Sequence, residues 1–134
     1  MINRLDHMNF SVRNLEESIN WYKKVFNFEL VEKGTFDGAP WAIVKSGNAM
    51  LAMYERDGAN FIDRHETARK GLQGISHFAL AVDKLKEWIE KVETKTVDVD
   101  HYFEYPHSQS WYVNDPTGYE IEVVYWNKGI KFPS

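Results

Sequence analysis

Apolar and polar residues alternate near the start of the chain. In Leu5-Asp6-His7-Met8-Asn9-Phe10-Ser11-Val12, the apolar Met8, Phe10 and Val12 take one side and His7, Asn9 and Ser11 the other. That period of two belongs to a half-buried strand. The period then lengthens. Asn14, with Glu17 three residues later, makes a capping-box-like start. Leu15, Ile19, Tyr22 and Phe26 follow as an apolar stripe at helical spacing. Three shorter strands are expected next, over 28–33, 40–45 and 49–55, with Gly34, Gly38 and Gly47 as turn residues.

Seventy residues on, the pattern returns. Ile75-Ser76-His77-Phe78-Ala79-Leu80-Ala81-Val82 matches the first octapeptide at its apolar positions and also carries His third. Leu15 falls over Leu85, Glu17 over Glu87, Ile19 over Ile89 and Tyr22 over Val92. Further along, Trp41 falls over Trp111, Leu51 over Ile121 and Met53 over Val123. One offset held over some fifty positions marks a duplicated module. In the second copy Leu85, Trp88, Ile89 and Val92 form the helical stripe after Asp83. Strands are expected over 98–104, 109–114 and 119–126, separated by Pro106 and by Asp115-Pro116-Thr117-Gly118.

Each module therefore reads as strand, helix, then three strands, an α+β fold of two tandem βαβββ units. The first spans 1–55 and the second, with the C-terminal tail, 75–134, as parts of one domain. Residues 56–74 match neither copy. They are rich in charge (Arg56, Asp57, Asp63, Arg64, Glu66, Arg69, Lys70) and read as a linker with one short helix around Phe61–Lys70.

Composition narrows the function. The 134 residues include five Trp, seven Tyr and eight Phe, enough for a real core, so a disordered reading is set aside. A net charge of −4 and scattered basic residues leave no footprint for nucleic acid. Cysteine is absent, which excludes disulfides, thiolate metal sites and a cysteine nucleophile. No apolar run suits a signal peptide or a membrane span, so a cytoplasmic protein without a membrane partner is expected.

The repeat also brings chemistry together. His7 and His77 are symmetry mates on the polar sides of their strands, placed to converge on a concave sheet. Glu120 and Glu122 share a parity on the last strand, opposite Ile121, Val123 and Tyr125. Two imidazoles and the Glu122 carboxylate form a facial set that leaves coordination positions open, suited to zinc, manganese, iron(II) or nickel. A single His beside apolar residues is more often a packed or rim residue, and the doubling of the motif is what favours a metal. Ala52, seventy residues before Glu122, has no donor atom, and Glu55 falls on the opposite face by strand parity. Three protein ligands are therefore expected.

These residues resemble the vicinal oxygen chelate superfamily of glyoxalases, bleomycin-resistance proteins and extradiol dioxygenases. The resemblance covers almost the whole chain. It rests on Leu5–Val12, Trp21-Tyr22-Lys23-Lys24-Val25-Phe26, Ile75–Leu80, and above all Asp115-Pro116-Thr117-Gly118-Tyr119-Glu120-Ile121-Glu122. It implies paired βαβββ modules curling into a metal-holding cup with helices outside, commonly in homodimers, with His7, His77 and Glu122 at the ligand positions. It also implies a divalent metal acting as Lewis acid on paired oxygens of a small substrate, in isomerisation, lyase, ring-cleavage or thiol-transfer chemistry. Lactoylglutathione lyases fit less well, since their further carboxylate ligand falls at Ala52 and their glutathione-binding Arg at Ser11. Ser110-Trp111-Tyr112-Val113-Asn114-Asp115-Pro116 is similar to the fosfomycin thiol-transferase segment whose Ser and Tyr touch substrate, although the basic residues of that group have no match in 101–109.

Asn9, Trp41, Tyr54, Ser110 and Tyr112 are the expected pocket walls, with core packing the competing role for the aromatics. Glu120 is a candidate supporting group or base, against a plainer reading as a carboxylate at the sheet rim. His101 and His107 are read as exposed loop residues and His65 as a surface residue. Two other classes stand beside the enzyme: a metal-free small-molecule binder like the bleomycin-resistance proteins, and a structural or regulatory protein with a relict site.

Overall fold

The computed structural model describes residues 1–133. It divides into two compact units, residues 1–61 and the remainder from Ile62, each built around one four-stranded sheet.

In the first unit β1 (Met8–Val12) is followed by α1 (Leu15–Phe26), β2 (Glu29–Phe36), β3 (Ala39–Ser46) and β4 (Ala49–Glu55). The sheet order is β1-β4-β3-β2, with β1 parallel to β4 and the other pairs antiparallel. Asn14 caps α1 by accepting from the Glu17 N–H, and Glu55 reaches back to accept from the Leu15 N–H at 2.8 Å. Two of the donors a helix start leaves open are thus satisfied. Glu55 is therefore occupied as a cap on the helix side, as its parity required. The helix buries Leu15, Ile19, Tyr22 and Val25, and the Tyr22 ring meets Phe10 and Phe28. Val25 takes the place expected of Phe26, which is half-buried.

The second unit repeats this order. Ahead of it comes α2 (Arg64–Arg69), capped by Asp63, which accepts from the Glu66 N–H. Then follow β5 (Phe78–Ala81), α3 (Leu85–Glu93), β6 (His101–Tyr105), β7 (Ser108–Asn114) and β8 (Glu120–Trp126), with sheet order β5-β8-β7-β6. The two βαβββ modules are as expected. Strands β1 and β5 begin later than the alternation suggests. Upstream of them Leu5 and Ile75 are 74% and 73% exposed, with no pairing to hold them in a sheet. His7 and His77 accordingly sit at the mouths of these strands rather than within them.

The offset of seventy is not constant. Met53 pairs with both Phe10 and Ala42, and Val123 with both Leu80 and Trp111. The counterpart of Ala42 is therefore Trp111, sixty-nine residues on, and Trp41 corresponds to Ser110. The middle strands slip by one because β2 carries an extra residue where its register shifts between Leu30 and Glu32, while the β7–β8 connection is longer than the β3–β4 turn. The two tryptophans consequently play different parts. Trp111 lies on the helix side, buried against Trp88. Trp41 shares the opposite face with Tyr54 and lies across Gly34, where a Cβ would come within 2.9 Å of its ring.

Candidate functional site

Cross-strand partners point to the same face of a sheet, so register sorts the second sheet into two rows. Leu80, Val123, Trp111 and Tyr102 form the row on the helix side. Ala79, Glu122, Tyr112 and His101 form the next, on the open face. The turn Asp115-Pro116-Thr117-Gly118 aims β8 into this arrangement. One carboxylate oxygen of Asp115 accepts from the N–H groups of Thr117, Gly118 and Tyr119 at 3.0, 2.9 and 2.9 Å. Gly118 takes φ +106°, a conformation that only glycine adopts without strain. Glu120 and Glu122 follow at once.

On the open face His77 Nε2 lies 3.0 Å from Glu122 Oε2, and Ser110 Oγ donates to the other oxygen of Glu122 at 2.6 Å. Tyr112 stands edge-on to His77, with ring centres 5.7 Å apart, and its hydroxyl is 3.1 Å from that of Tyr105. Burial holds the Tyr112 hydroxyl far above the ordinary tyrosine range, with the Tyr105 hydrogen bond and the Glu122 charge adding to it. It therefore stays protonated at neutral pH. His101 is not the exposed loop residue expected from the sequence. It opens β6, stacks on Tyr112 at 4.3 Å and holds Asp100 through Nδ1 at 2.8 Å. His107 and His65 are exposed, as expected.

Glu120 differs from the rim carboxylate of the plainer reading. Strand β8 is interior to its sheet, and the Glu120 side chain is 5% exposed. Arg64 Nε donates to its Oε2 at 2.9 Å, while its Oε1 lies 3.5 Å from His77 Nδ1. Beside this ion pair opens a polar cleft of about 280 Å³, bordered by Asp63, Asp100 and Asn114.

In the first unit His7 turns Nδ1 onto Asp6 at 2.8 Å, and the hydrogen bond from His7 is the main cause lowering the Asp6 pKa. Asn9 and Tyr54 lie with Trp41 on the face away from α1. Of the residues expected at the site, the second unit thus gathers His77, Glu120, Glu122, Ser110 and Tyr112. Arg64, His101 and Tyr105 join them without having been expected. Arg64 comes from the segment between the repeats and Tyr105 from a strand end, positions where sequence periodicity carries no signal.

As donors, His77 and Glu122 suit a borderline divalent ion: one imidazole nitrogen and one carboxylate oxygen, converging, with Ser110 fixing the carboxylate. Among the described residues no group of three His, Asp or Glu side chains is gathered closely enough to hold an ion. Two donors stand together at this point, His77 Nε2 and Glu122 Oε2. Among the described residues no helix is long and apolar enough to cross a membrane.

The family model described as Glyoxalase/Bleomycin resistance protein/Dioxygenase superfamily matches residues 4–123. The chain is 29% identical over 128 residues to the probable trivalent organoarsenical cleaving enzyme of Bacillus subtilis (strain 168), covering 89% of this chain and 77% of that protein. It is 25% identical over 126 residues to the metallothiol transferase FosB of Staphylococcus epidermidis, covering 91% and 81%. In architecture it is similar to a glyoxylase/bleomycin resistance protein/dioxygenase domain from Frankia sp. EAN1pec, with TM-score 0.80, 18% identity and coverage of 97% and 96%.

Proposed function

The chain belongs to the Glyoxalase/Bleomycin resistance protein/Dioxygenase superfamily, and on that premise we propose that it is a metal-dependent enzyme acting on a small oxygen-bearing molecule. His77 and Glu122 would hold the ion, with His7 as the third ligand and a homodimer as the working assembly. The observation that carries the reading is the convergence of His77 Nε2 and Glu122 Oε2 at 3.0 Å, with the remaining carboxylate oxygen taken by Ser110. A second observation supports it. His7 and His77 each turn Nδ1 towards a carboxylate, Asp6 and Glu120, which leaves Nε2 as the coordinating atom in both.

A bound divalent metal supplies Lewis acidity to paired oxygens of the substrate. Ser110 keeps Glu122 from rotating. Tyr112, held protonated, offers its O–H to an oxygen on which negative charge develops. His101 and Phe103 add aromatic surface to this face. Soft, thiophilic centres find no thiolate here, because the chain has no cysteine. Thiol transfer is the second reading, favoured by the placing of Ser110 and Tyr112 against Glu122 and by the likeness to the metallothiol transferase.

Cobalt(II) loading tests the ligand set. The expected result is a visible d–d spectrum of a nitrogen- and oxygen-ligated ion, altered or lost in His7→Ala, His77→Ala and Glu122→Ala. A spectrum identical to that of the unsubstituted protein in any one of them removes that residue from the set.

A further inference from the structure

With His77 taken as a ligand, as proposed above, we propose that Glu120 and Arg64 form a positioning relay that fixes the His77 imidazole from behind. Three observations carry it. The Glu120 side chain is almost fully buried, yet only one of its oxygens has a hydrogen-bonding partner, Arg64 at 2.9 Å. Its other oxygen and His77 Nδ1 are both buried without a hydrogen bond, and they face each other at 3.5 Å. The opposite ring nitrogen, Nε2, is the one turned to Glu122.

A carboxylate behind a coordinating imidazole sets which nitrogen carries the proton and restrains ring rotation. The 3.5 Å separation is loose for a hydrogen bond, and it shortens by a small ring movement once Nε2 is drawn onto an ion. Glu120 alone is a poor anchor, since a buried carboxylate with one unpaired oxygen is costly. Arg64 answers that cost from α2, an element outside the repeat. The segment between the modules thereby acquires a role at the site, and the clamp joins residues fifty-six positions apart. Asn114 pairs with Glu120 across the strands and closes the other side of the cleft.

The test measures zinc affinity of the 134-residue chain by chelator competition, together with proton NMR of the zinc-loaded form. Glu120→Ala should weaken zinc binding by about 10- to 100-fold and remove the downfield signal of a hydrogen-bonded His77 Nδ1–H. Glu120→Gln, which keeps an acceptor oxygen, should restore most of the affinity and the signal. Arg64→Ala should give a smaller loss of affinity in the same direction, and it serves as the second variant should Glu120→Ala not fold. Unchanged affinity in both Glu120→Ala and Arg64→Ala, or no rescue by Glu120→Gln, overturns the relay. A loss in Glu120→Ala as complete as that in His77→Ala overturns it differently, by making Glu120 itself a ligand. If His77→Ala leaves zinc binding untouched, the metal reading falls first and the relay with it.

Discussion

Replacing Asp115 by alanine should unfold the second module more readily than any surface change. Asp115 is buried, and one of its oxygens gathers three backbone N–H groups within 3.0 Å. A hydrogen bond to a charged acceptor contributes about 1.5–3 kcal/mol, but the three do not add. The Gly118 N–H also reaches the Asp115 carbonyl at 3.0 Å, so that donor keeps an acceptor after the substitution. Water can reach part of the turn as well. The expected loss is about 3 kcal/mol. Asparagine leaves a neutral acceptor, with hydrogen bonds roughly half as strong, so Asp115→Asn should recover about half of the loss. Urea unfolding followed by circular dichroism and tryptophan fluorescence measures both variants. Because Glu120 and Glu122 follow the turn directly, metal affinity should fall alongside stability. An Asp115→Ala midpoint equivalent to less than about 0.5 kcal/mol of destabilisation, the range of ordinary surface substitutions, would refute this account of how β8 is aimed.

Ser110→Ala removes the 2.6 Å hydrogen bond to Glu122 and should lower zinc affinity by about tenfold, equivalent to about 1.4 kcal/mol, as read by chelator competition. Gly34→Ala sets a Cβ against the Trp41 ring at 2.9 Å; a loss of about 1–3 kcal/mol and a shifted tryptophan emission are expected, and an unchanged spectrum would contradict the packing. Tyr112 should titrate last among the tyrosines. Its folded pKa is raised, so the stability it contributes is complete below the unfolded value near 10 and declines as the pH climbs past it. In ultraviolet titration, Tyr112→Phe should therefore leave the tyrosinate signal around pH 10–11 unchanged.

Much of the fold could be read before any coordinates. The period-two octapeptides, the stripe from Leu15 to Tyr22 and the repeated His fixed both modules, because alternation and helical spacing follow directly from which face is buried. The slip from seventy to sixty-nine was hidden for a physical reason. An extra residue in β2 and a longer later connection cancel, so both ends of the repeat stay in step while the middle strands do not. That cancellation put Trp41 over Trp111, when Trp41 answers to Ser110. That His77 and Glu122 share one face was legible from the repeat and strand parity, and Ser110 and Tyr112 were drawn to that face by the family resemblance. The burial of Glu120 was not legible, since it depends on Arg64, which no local pattern links to it. The stacking of His101 on Tyr112 likewise follows from hairpin register, which fixes partners only once the turn at 106–107 is known.

Metal content tests the central claim most directly. The purified protein is dialysed against trace divalent metals, then metal-free buffer, and analysed for elements alongside His77→Ala. About one transition-metal ion per chain, lost in the variant with the fold intact by circular dichroism, is the result expected if His77 and Glu122 form the core of a metal site. No stoichiometric metal in the unsubstituted protein, or equal metal in the variant, would contradict it and leave this face as a binding surface for an organic ligand alone.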